Sequence, residues 1–143
     1  MDDLLQTAGI VLDATASSRE EAVAVCGSLL RELGAIEPEY AEAMWEREQI
    51  FPSEIGGGFA IPHGTDKSRQ YVLFDQLVFV RFLEPIAWVN EQVSVAIGIA
   101  AAGDGHVEIL GNLAEILLDD ASAHVLLSST SEEEIRSLLV KGI

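Results

Sequence analysis

Residues Val93–Ala100, with the sequence VSVAIGIA, decide the fold class of this 143-residue chain. Apart from Ser94, the run contains only apolar residues and glycine, without the strict alternation that marks a strand with one face in water. A nearly continuous apolar run of this kind is typical of a central strand covered on both faces. The β-branched and aromatic stretch Leu77–Phe82 predicts a second strand. The sequence therefore predicts a sheet whose middle lies between two other layers.

Helical patterns and shorter strands surround these two segments. Ser17 and Ser18 precede acidic residues in a way that predicts a helix N-terminus, and Gly34 is placed to end that helix. Pro38 is favoured in the first turn of a second helix, which is predicted to end near Glu48. The other predicted elements are a weak strand at 10–12, a glycine-rich loop at 53–58, a short strand at 59–62, a turn at 64–68, a helix from His106 to Asp119 or Asp120, and helices at 121–127 and 131–139.

Together these elements predict one α/β domain over residues 1–143. Its sheet is expected to have four or five strands and to be covered by helices.

The composition limits the classes of partner and the compartment. The chain carries 24 acidic and 8 basic residues, a formal net charge of −16, so nucleic acid or an anionic membrane surface would repel it. The single cysteine, Cys26, lies in a helical apolar pattern and indicates a small core residue. Asp2 and Asp3 are unlike a basic leader, and no run of about 18 apolar residues occurs, so neither a secretory signal nor a membrane span is expected. We therefore expect a cytoplasmic protein.

His63 is the strongest candidate for chemistry among the three histidines. Pro62 fixes its own φ and favours extended geometry at Ile61, while Gly64 permits a sharp turn immediately after the imidazole. A rigid strand end of this kind would present the ring to a cleft. Imidazole is nucleophilic near neutral pH, so the segment is typical of a histidine that accepts a transferred group. Taken alone, the segment is equally consistent with an ordinary loop histidine.

His106 and Arg47 are candidate partners for an anionic group at His63. His106 follows a glycine-containing break after the central strand and opens a helix, where N–H groups and a partial positive charge favour anions. Arg47 is one of only eight basic residues and offers a guanidinium. Phosphoryl transfer requires little beyond such positioning and charge stabilisation. A helix-capping role for His106 and a solvated charge at Arg47 are the alternatives that these residues leave open.

Other ligands are disfavoured by the motifs that are missing. The segment Gly56–Gly58 lacks the Gly-Lys-Ser/Thr ending of a nucleotide-binding loop, so ATP binding is not expected. Neither His63 nor His106 has a further ligand at a recognisable metal spacing, which disfavours a metal hydrolase. His124 lies in a helical stretch among alanine and leucine and receives no role. No cofactor and no metal are predicted.

The stretch from Tyr40 to Thr65 resembles the EIIA domains of the fructose–mannitol branch of the bacterial sugar phosphotransferase system. The shared pattern is Tyr40-x3-Met44-x2-Arg47-Glu48, then Phe51-Pro52, then residues 56–65 with the sequence GGGFAIPHGT. The run at 97–101, with His106 a few residues on, is similar to that family's second histidine region. The ending Gly64-Thr65 looks most like mannitol-type members.

This resemblance implies a phosphoryl carrier with a mixed parallel and antiparallel sheet and helices on both faces. By it, His63 takes a phosphoryl group on its tele nitrogen, Nε2, from the phosphohistidine of the carrier HPr. It passes the group to a cysteine of a cognate EIIB, which serves the membrane component EIIC. His106 and Arg47 stabilise the phosphoryl group. The implied sugar is mannitol; a fructose-type EIIA and a regulatory, nitrogen-type EIIA-like phosphoprotein are the alternatives.

Overall fold

A mixed sheet runs through the centre of the molecule, which a computed structural model describes for residues 4–103 and 105–141, without the side chains of residues 105, 106 and 141. Its strands within these ranges are β1 Ile10–Ala14, β2 Glu54–Gly56, β3 Phe59–Ala60, β4 Gln76–Ala87 and β5 Gln92–Ala100. The strand order is β1-β4-β5-β3-β2. β5 pairs antiparallel with β4 and parallel with β3, β1 joins β4 in parallel, and β2 joins β3 antiparallel. The mixed sheet with β5 at its centre confirms the predicted fold class.

Five α-helices connect and cover the strands in the described ranges: α1 Arg19–Glu32, α2 Pro38–Ile50, α3 Gly105–Leu118, α4 Asp120–Ser128 and α5 Glu132–Lys141. Two short 3-10 turns lie at Thr7–Gly9 and Lys67–Tyr71. The Ser18 hydroxyl accepts a hydrogen bond from the Glu21 amide at 3.1 Å, as expected of an N-cap. Gly34 has a φ of 80° just beyond the end of α1, the left-handed conformation that glycine adopts readily after a helix.

The two faces of β5 carry side chains of different size. Alternate residues of a strand point to opposite faces, and here Ala96 and Ala100 pack in the core formed with α1 and α2. The opposite face carries the branched residues that pack in the core formed with α3, α4 and α5, namely Val95, Ile97 and Ile99. Both faces of the sheet are therefore covered, and small residues let α1 approach β5 closely.

Gly98 marks this close approach. A Cβ atom at position 98 would lie 2.8 Å from Cγ2 of Val78 and 2.9 Å from Cβ of Cys26. Cys26 is fully buried in the same core, and its burial raises the pKa of its thiol to about 12. It is therefore the core residue that the sequence predicted.

The segment 53–58 is not the loop that its glycines predicted. It contains β2, which pairs with β3 through Glu54 opposite Ala60. Gly56, Gly57 and Gly58 have φ values of 102°, 68° and 91°, so the glycine run serves the turn of a hairpin in a conformation that other residues rarely adopt. The prediction was wrong because a short strand rich in glycine has no β-branched signal. Helix α2 also continues to Ile50, beyond the predicted end near Glu48.

We expect Gly98→Ala to lower the free energy of unfolding by about 1–3 kcal/mol, because the added methyl group overpacks the contact between α1 and β5. Gly111→Ala is the matched control, since a Cβ there meets nothing within 4 Å and alanine should stabilise α3 by about 1 kcal/mol. Urea unfolding of both variants measures the difference. Equal stability of the two variants would contradict the packing described for Gly98.

Candidate active site

His63 is held in place beside the central strand. After β3 ends, the chain continues alongside β5: the Ile99 amide donates to the Pro62 carbonyl at 2.9 Å, and His63 forms an isolated parallel bridge with Ile99. The predicted short strand at 59–62 therefore forms regular strand only at Phe59–Ala60, but its pairing with β5 extends to the histidine. The backbone of His63 is thus fixed by the sheet, not by a loop.

The imidazole of His63 is buried and has a defined orientation. The residue is only 8% exposed, and its Nδ1 lies 2.8 Å from the Ile61 carbonyl oxygen. A carbonyl oxygen only accepts hydrogen bonds, so Nδ1 carries the proton in this contact. In the neutral ring the lone pair is then on Nε2. In this tautomer Nε2 is the ring nitrogen with a lone pair for nucleophilic attack.

Burial also determines the charge of the ring. Desolvation lowers the pKa of His63 below its usual value of 6.5, and the positive charge of Arg47 lowers it further. The hydrogen bond to the Ile61 carbonyl and the carboxylates of Glu48 and Asp66 oppose this effect and raise the pKa. Because desolvation is the largest of these influences, His63 is neutral near pH 7 and able to act as a nucleophile.

Tyr40 connects the turn after His63 to the central strand. Its hydroxyl donates to the Ile99 carbonyl at 2.7 Å and accepts from the Gly64 amide at 2.9 Å. A Cβ atom at position 64 would lie 2.4 Å from Oγ of Ser68 and 2.6 Å from Cε1 of Tyr40. Gly64 is therefore required for the close contact with Tyr40, a reason that differs from the free turn predicted from the sequence.

Arg47 lies in the last turn of α2 and is half-buried. Its Nη1 donates to the Phe51 carbonyl at 2.5 Å, and its guanidinium lies 5.7 Å from the centroid of the Phe51 ring. Since its charge lowers the pKa of His63, the structure brings these two predicted site residues within electrostatic reach of each other.

The side chain of His106 is not among those that the structure describes. The backbone of His106 belongs to the first turn of α3 (Gly105–Leu118), and α3 follows β5, the strand that pairs with His63 through Ile99. The predicted helix start after the central strand is thus confirmed. The contacts of the His106 imidazole stay a prediction.

Two further links in the site were missed at the sequence level. Glu48 has no predicted role in the site, yet its side chain is buried, with 1% exposure. Its spacing of four residues from Met44 and eight from Tyr40 was the signal that it shares their buried face. Arg69 pairs with Asp66 at 2.7 Å and donates to the Gly103 carbonyl at 3.3 Å. It therefore connects the turn after His63 to the loop before α3.

The residues brought together can carry out nucleophilic group transfer. A neutral imidazole with its lone pair on Nε2 lies within electrostatic reach of the Arg47 guanidinium, while the carboxylates of Glu48 and Asp66 raise the basicity of the ring. A transferred phosphoryl group needs such a nucleophile together with cationic or N–H donors for its oxygens. This is the chemistry of a phosphoryl acceptor.

Known proteins are similar to this chain in sequence and in fold. Residues 3–142 match the family described as "Phosphoenolpyruvate-dependent sugar phosphotransferase system, EIIA 2". The mannitol-specific phosphotransferase enzyme IIA component of Halalkalibacterium halodurans is 36% identical over 136 residues, which cover 95% of this chain and 94% of that protein.

Two solved structures extend the similarity. Enzyme IIA-MTL of Escherichia coli, in a complex with phosphorylated enzyme IIB-MTL, has a TM-score of 0.88 at 31% identity and covers 96% of this chain and 99% of its own. The nitrogen regulatory protein IIA-Ntr of Neisseria meningitidis has a TM-score of 0.80 at 26% identity, with coverage of 96% and 97%.

The chain therefore belongs to the EIIA 2 family of the phosphoenolpyruvate-dependent sugar phosphotransferase system. As an EIIA component it is a phosphotransferase protein that carries phosphoryl groups. The resemblance seen between Tyr40 and Thr65 is confirmed over almost the whole chain. In the part of the chain that the structure describes, no helix is both long and apolar enough to cross a membrane.

We expect the midpoint of His63 protonation to lie below pH 6.5, because burial lowers its pKa in the folded protein. The ring protonates more readily in the unfolded chain. Protonation of His63 therefore lowers the free energy of unfolding as the pH falls from 6.5 towards the folded pKa, and above that range His63 does not make this free energy depend on pH. An NMR titration, with the signal assigned by its absence in His63→Gln, measures this value. A His63 pKa at or above 6.5 would contradict the dominance of burial.

Proposed function

We propose that this chain is a mannitol-type EIIA, which accepts a phosphoryl group from the phosphohistidine of HPr on Nε2 of His63 and passes it to a cysteine of a cognate EIIB. The observation that carries the proposal is the hydrogen bond between Nδ1 of His63 and the Ile61 carbonyl at 2.8 Å. This bond selects the tautomer whose lone pair is on Nε2, the nitrogen opposite the ring's anchored side.

The proposed acceptance step requires no proton transfer at the reacting nitrogen. The Nε2 lone pair of His63 forms a bond to phosphorus while the bond between phosphorus and the donor's nitrogen breaks, and the donor nitrogen keeps that electron pair. The positive charge that develops on the His63 ring is shared with the Nδ1–H group, which donates to the Ile61 carbonyl. In the onward step the cysteine thiolate attacks phosphorus, and the departing His63 nitrogen regains its lone pair.

Arg47 and His106 are proposed to stabilise the phosphoryl oxygens during both steps. One N–H group of Arg47 donates to the Phe51 carbonyl, and the guanidinium has further N–H groups for phosphoryl oxygens. For His106, the support is the position of its backbone in the first turn of α3, next to the end of β5. Phosphoryl transfer depends on such charge stabilisation more than on covalent chemistry by the protein.

Mannitol is proposed as the sugar because the mannitol-specific relative and the mannitol enzyme IIA structure are more similar in sequence to this chain than the nitrogen regulatory protein. The likeness to that regulatory protein supports the second candidate function, a phosphoprotein that signals; a fructose-type EIIA is a further alternative. Transfer from this protein to mannitol-type EIIB would favour the first candidate. The proposal also places the protein in the cytoplasm and treats residues 1–143 as one domain. Through EIIB, the phosphoryl group would reach the sugar that enters by a membrane EIIC.

His63→Ala should abolish uptake of labelled phosphate from phosphorylated HPr, because it removes the nucleophile. His124→Ala is the matched control: His124 is exposed on α4 and takes no part in the proposed chemistry, so this variant should accept phosphate at the wild-type rate. Gel detection of labelled protein after incubation with the phosphorylated carrier gives the result. Label retained by His63→Ala would refute the assignment of the acceptor.

His106→Ala should accept phosphate in part but transfer it to EIIB more slowly, by roughly 10- to 1000-fold, since it removes a donor to the phosphoryl oxygens and leaves the nucleophile in place. Rapid mixing of the phosphorylated variant with mannitol-type EIIB measures the onward rate. Equal onward rates in the variant and the wild type would remove His106 from the proposed site.

A further inference from the structure

Glu48 is a buried carboxylate that accepts hydrogen bonds from Ser53 and Trp88. Its Oε2 accepts from the Ser53 amide at 2.8 Å and from Nε1 of Trp88 at 2.9 Å, and its Oε1 accepts from the Ser53 hydroxyl at 2.6 Å. Nη1 of Arg19 lies 3.9 Å from Oε2. With 1% exposure, the carboxylate has exchanged its water for these donors, which is the condition for keeping a charge inside a protein.

The hydrogen bonds of Glu48 continue to the imidazole of His63 through two residues. Ser53, which Glu48 holds by both its amide and its hydroxyl, accepts from the Ile61 amide at 3.0 Å through its carbonyl. Ile61 in turn accepts the Nδ1 contact of His63 at 2.8 Å. The path therefore runs from Glu48 through Ser53 and Ile61 to His63, and each step is a backbone or side-chain hydrogen bond of ordinary length.

The position of Ser53 explains why the path needs an anchor. Ser53 lies just before β2, which has three residues and pairs with β3 at the edge of the sheet. The hairpin turn consists of glycines, which give the unfolded chain more conformational freedom than other residues. Glu54 of β2 is held by the amides of Asn90 and Glu91, and Ser53, just before β2, is tied to α2 and to Trp88 by Glu48.

A purely structural role would be served as well by apolar residues, because replacing a buried ionic group with well-packed apolar side chains often costs nothing in stability. A carboxylate forms hydrogen bonds in defined directions, which an apolar side chain cannot do. The two oxygens of Glu48 hold both the amide and the hydroxyl of Ser53. Glu48 also adjoins Arg47 on α2, so one helix end presents both the proposed phosphoryl-binding cation and the start of the path to His63.

We propose that Glu48 is a positioning residue of the phosphoryl-transfer site, which holds the Ile61 carbonyl through Ser53 and thereby keeps His63 in the tautomer with the proton on Nδ1. Glu48 itself does not touch the phosphoryl group. The inference rests on the proposed function only in so far as it links this tautomer to the rate of phosphoryl transfer; the positioning itself is a property of the unphosphorylated protein.

The test compares Glu48→Ala with Glu48→Gln in the full chain. Alanine removes all of the bonds to Ser53 and Trp88. Glutamine keeps the shape, and its oxygen can accept from the Ser53 amide and Trp88 while its amino group donates to the Ser53 hydroxyl. Glu42→Ala is the matched control, because Glu42 is an exposed glutamate of the same helix. Circular dichroism first establishes which variants are folded.

Nitrogen NMR of the His63 ring reports the tautomer, and phosphorylation by phosphorylated HPr reports the rate. Glu48→Ala is expected to shift His63 to a mixture of tautomers and to slow phosphorylation roughly 10- to 100-fold, with an unchanged KM for the donor, since Glu48 is buried and the reacting nitrogen is misplaced. Glu48→Gln should restore most of both properties. A purely structural role would change the stability of the variants but not the tautomer.

A folded Glu48→Ala with the wild-type tautomer and rate would overturn the proposal. If Glu48→Ala does not fold, Ser53→Ala takes its place: it removes the hydroxyl bond and leaves the amide bond, so a smaller shift in tautomer is expected and an unchanged tautomer is the contrary result. Different results would contradict the acceptor role of His63 and the positioning role of Glu48. Phosphorylation of His63→Ala would remove the acceptor role, whereas the tautomer of His63 tests Glu48 whatever the acceptor is.

Discussion

The parallel pairing of β3 with β5 is the interaction on which the site depends. It aligns Phe59 with Val95 and Ala60 with Ala96, and the bond from the Ile99 amide to the Pro62 carbonyl extends it. Neighbouring parallel strands end at the same edge of a sheet, so the segment that follows β3 and the loop that follows β5 both lie at that edge. That edge brings His63 beside Ile99, near the end of β5, although the two residues are far apart in sequence.

The chemistry of His63 follows from a balance between burial and directed hydrogen bonds. Burial alone would keep the imidazole neutral without selecting a tautomer, and a hydrogen bond alone would favour the protonated ring. Together they give a neutral ring with its proton on Nδ1. Carboxylates at Glu48 and Asp66 oppose the effect of Arg47 on the pKa, so the basicity of the ring is a compromise among charges of both signs.

Features that depend on local pattern could be read from the sequence. The apolar run of β5, the serine cap of α1 and the Pro-His-Gly segment each carry their signal within a few residues. The strand β2 could not be predicted, because its glycines serve a turn and its stability comes from pairing with β3. The hydrogen bonds of Glu48 were equally hidden: its helical spacing places it on the buried face of α2, but its partner Trp88 is 40 residues away in sequence, so the contact is visible only in the folded chain. The hydroxyl of Tyr40 was missed for the same reason.

Helix α2 carries Tyr40, Arg47 and Glu48 within two turns or so of one another. These three residues contact the turn after the imidazole, supply the nearby cation and anchor the hairpin that leads to the ring. An α-helix is stiff over this length, so the three residues move together as one rigid body. In the proposed relay, acceptance and onward transfer are separate reactions at the same His63 nitrogen, and a stiff support offers the same geometry to both. A single helix can therefore serve donor and recipient alike without reshaping the site between the two encounters.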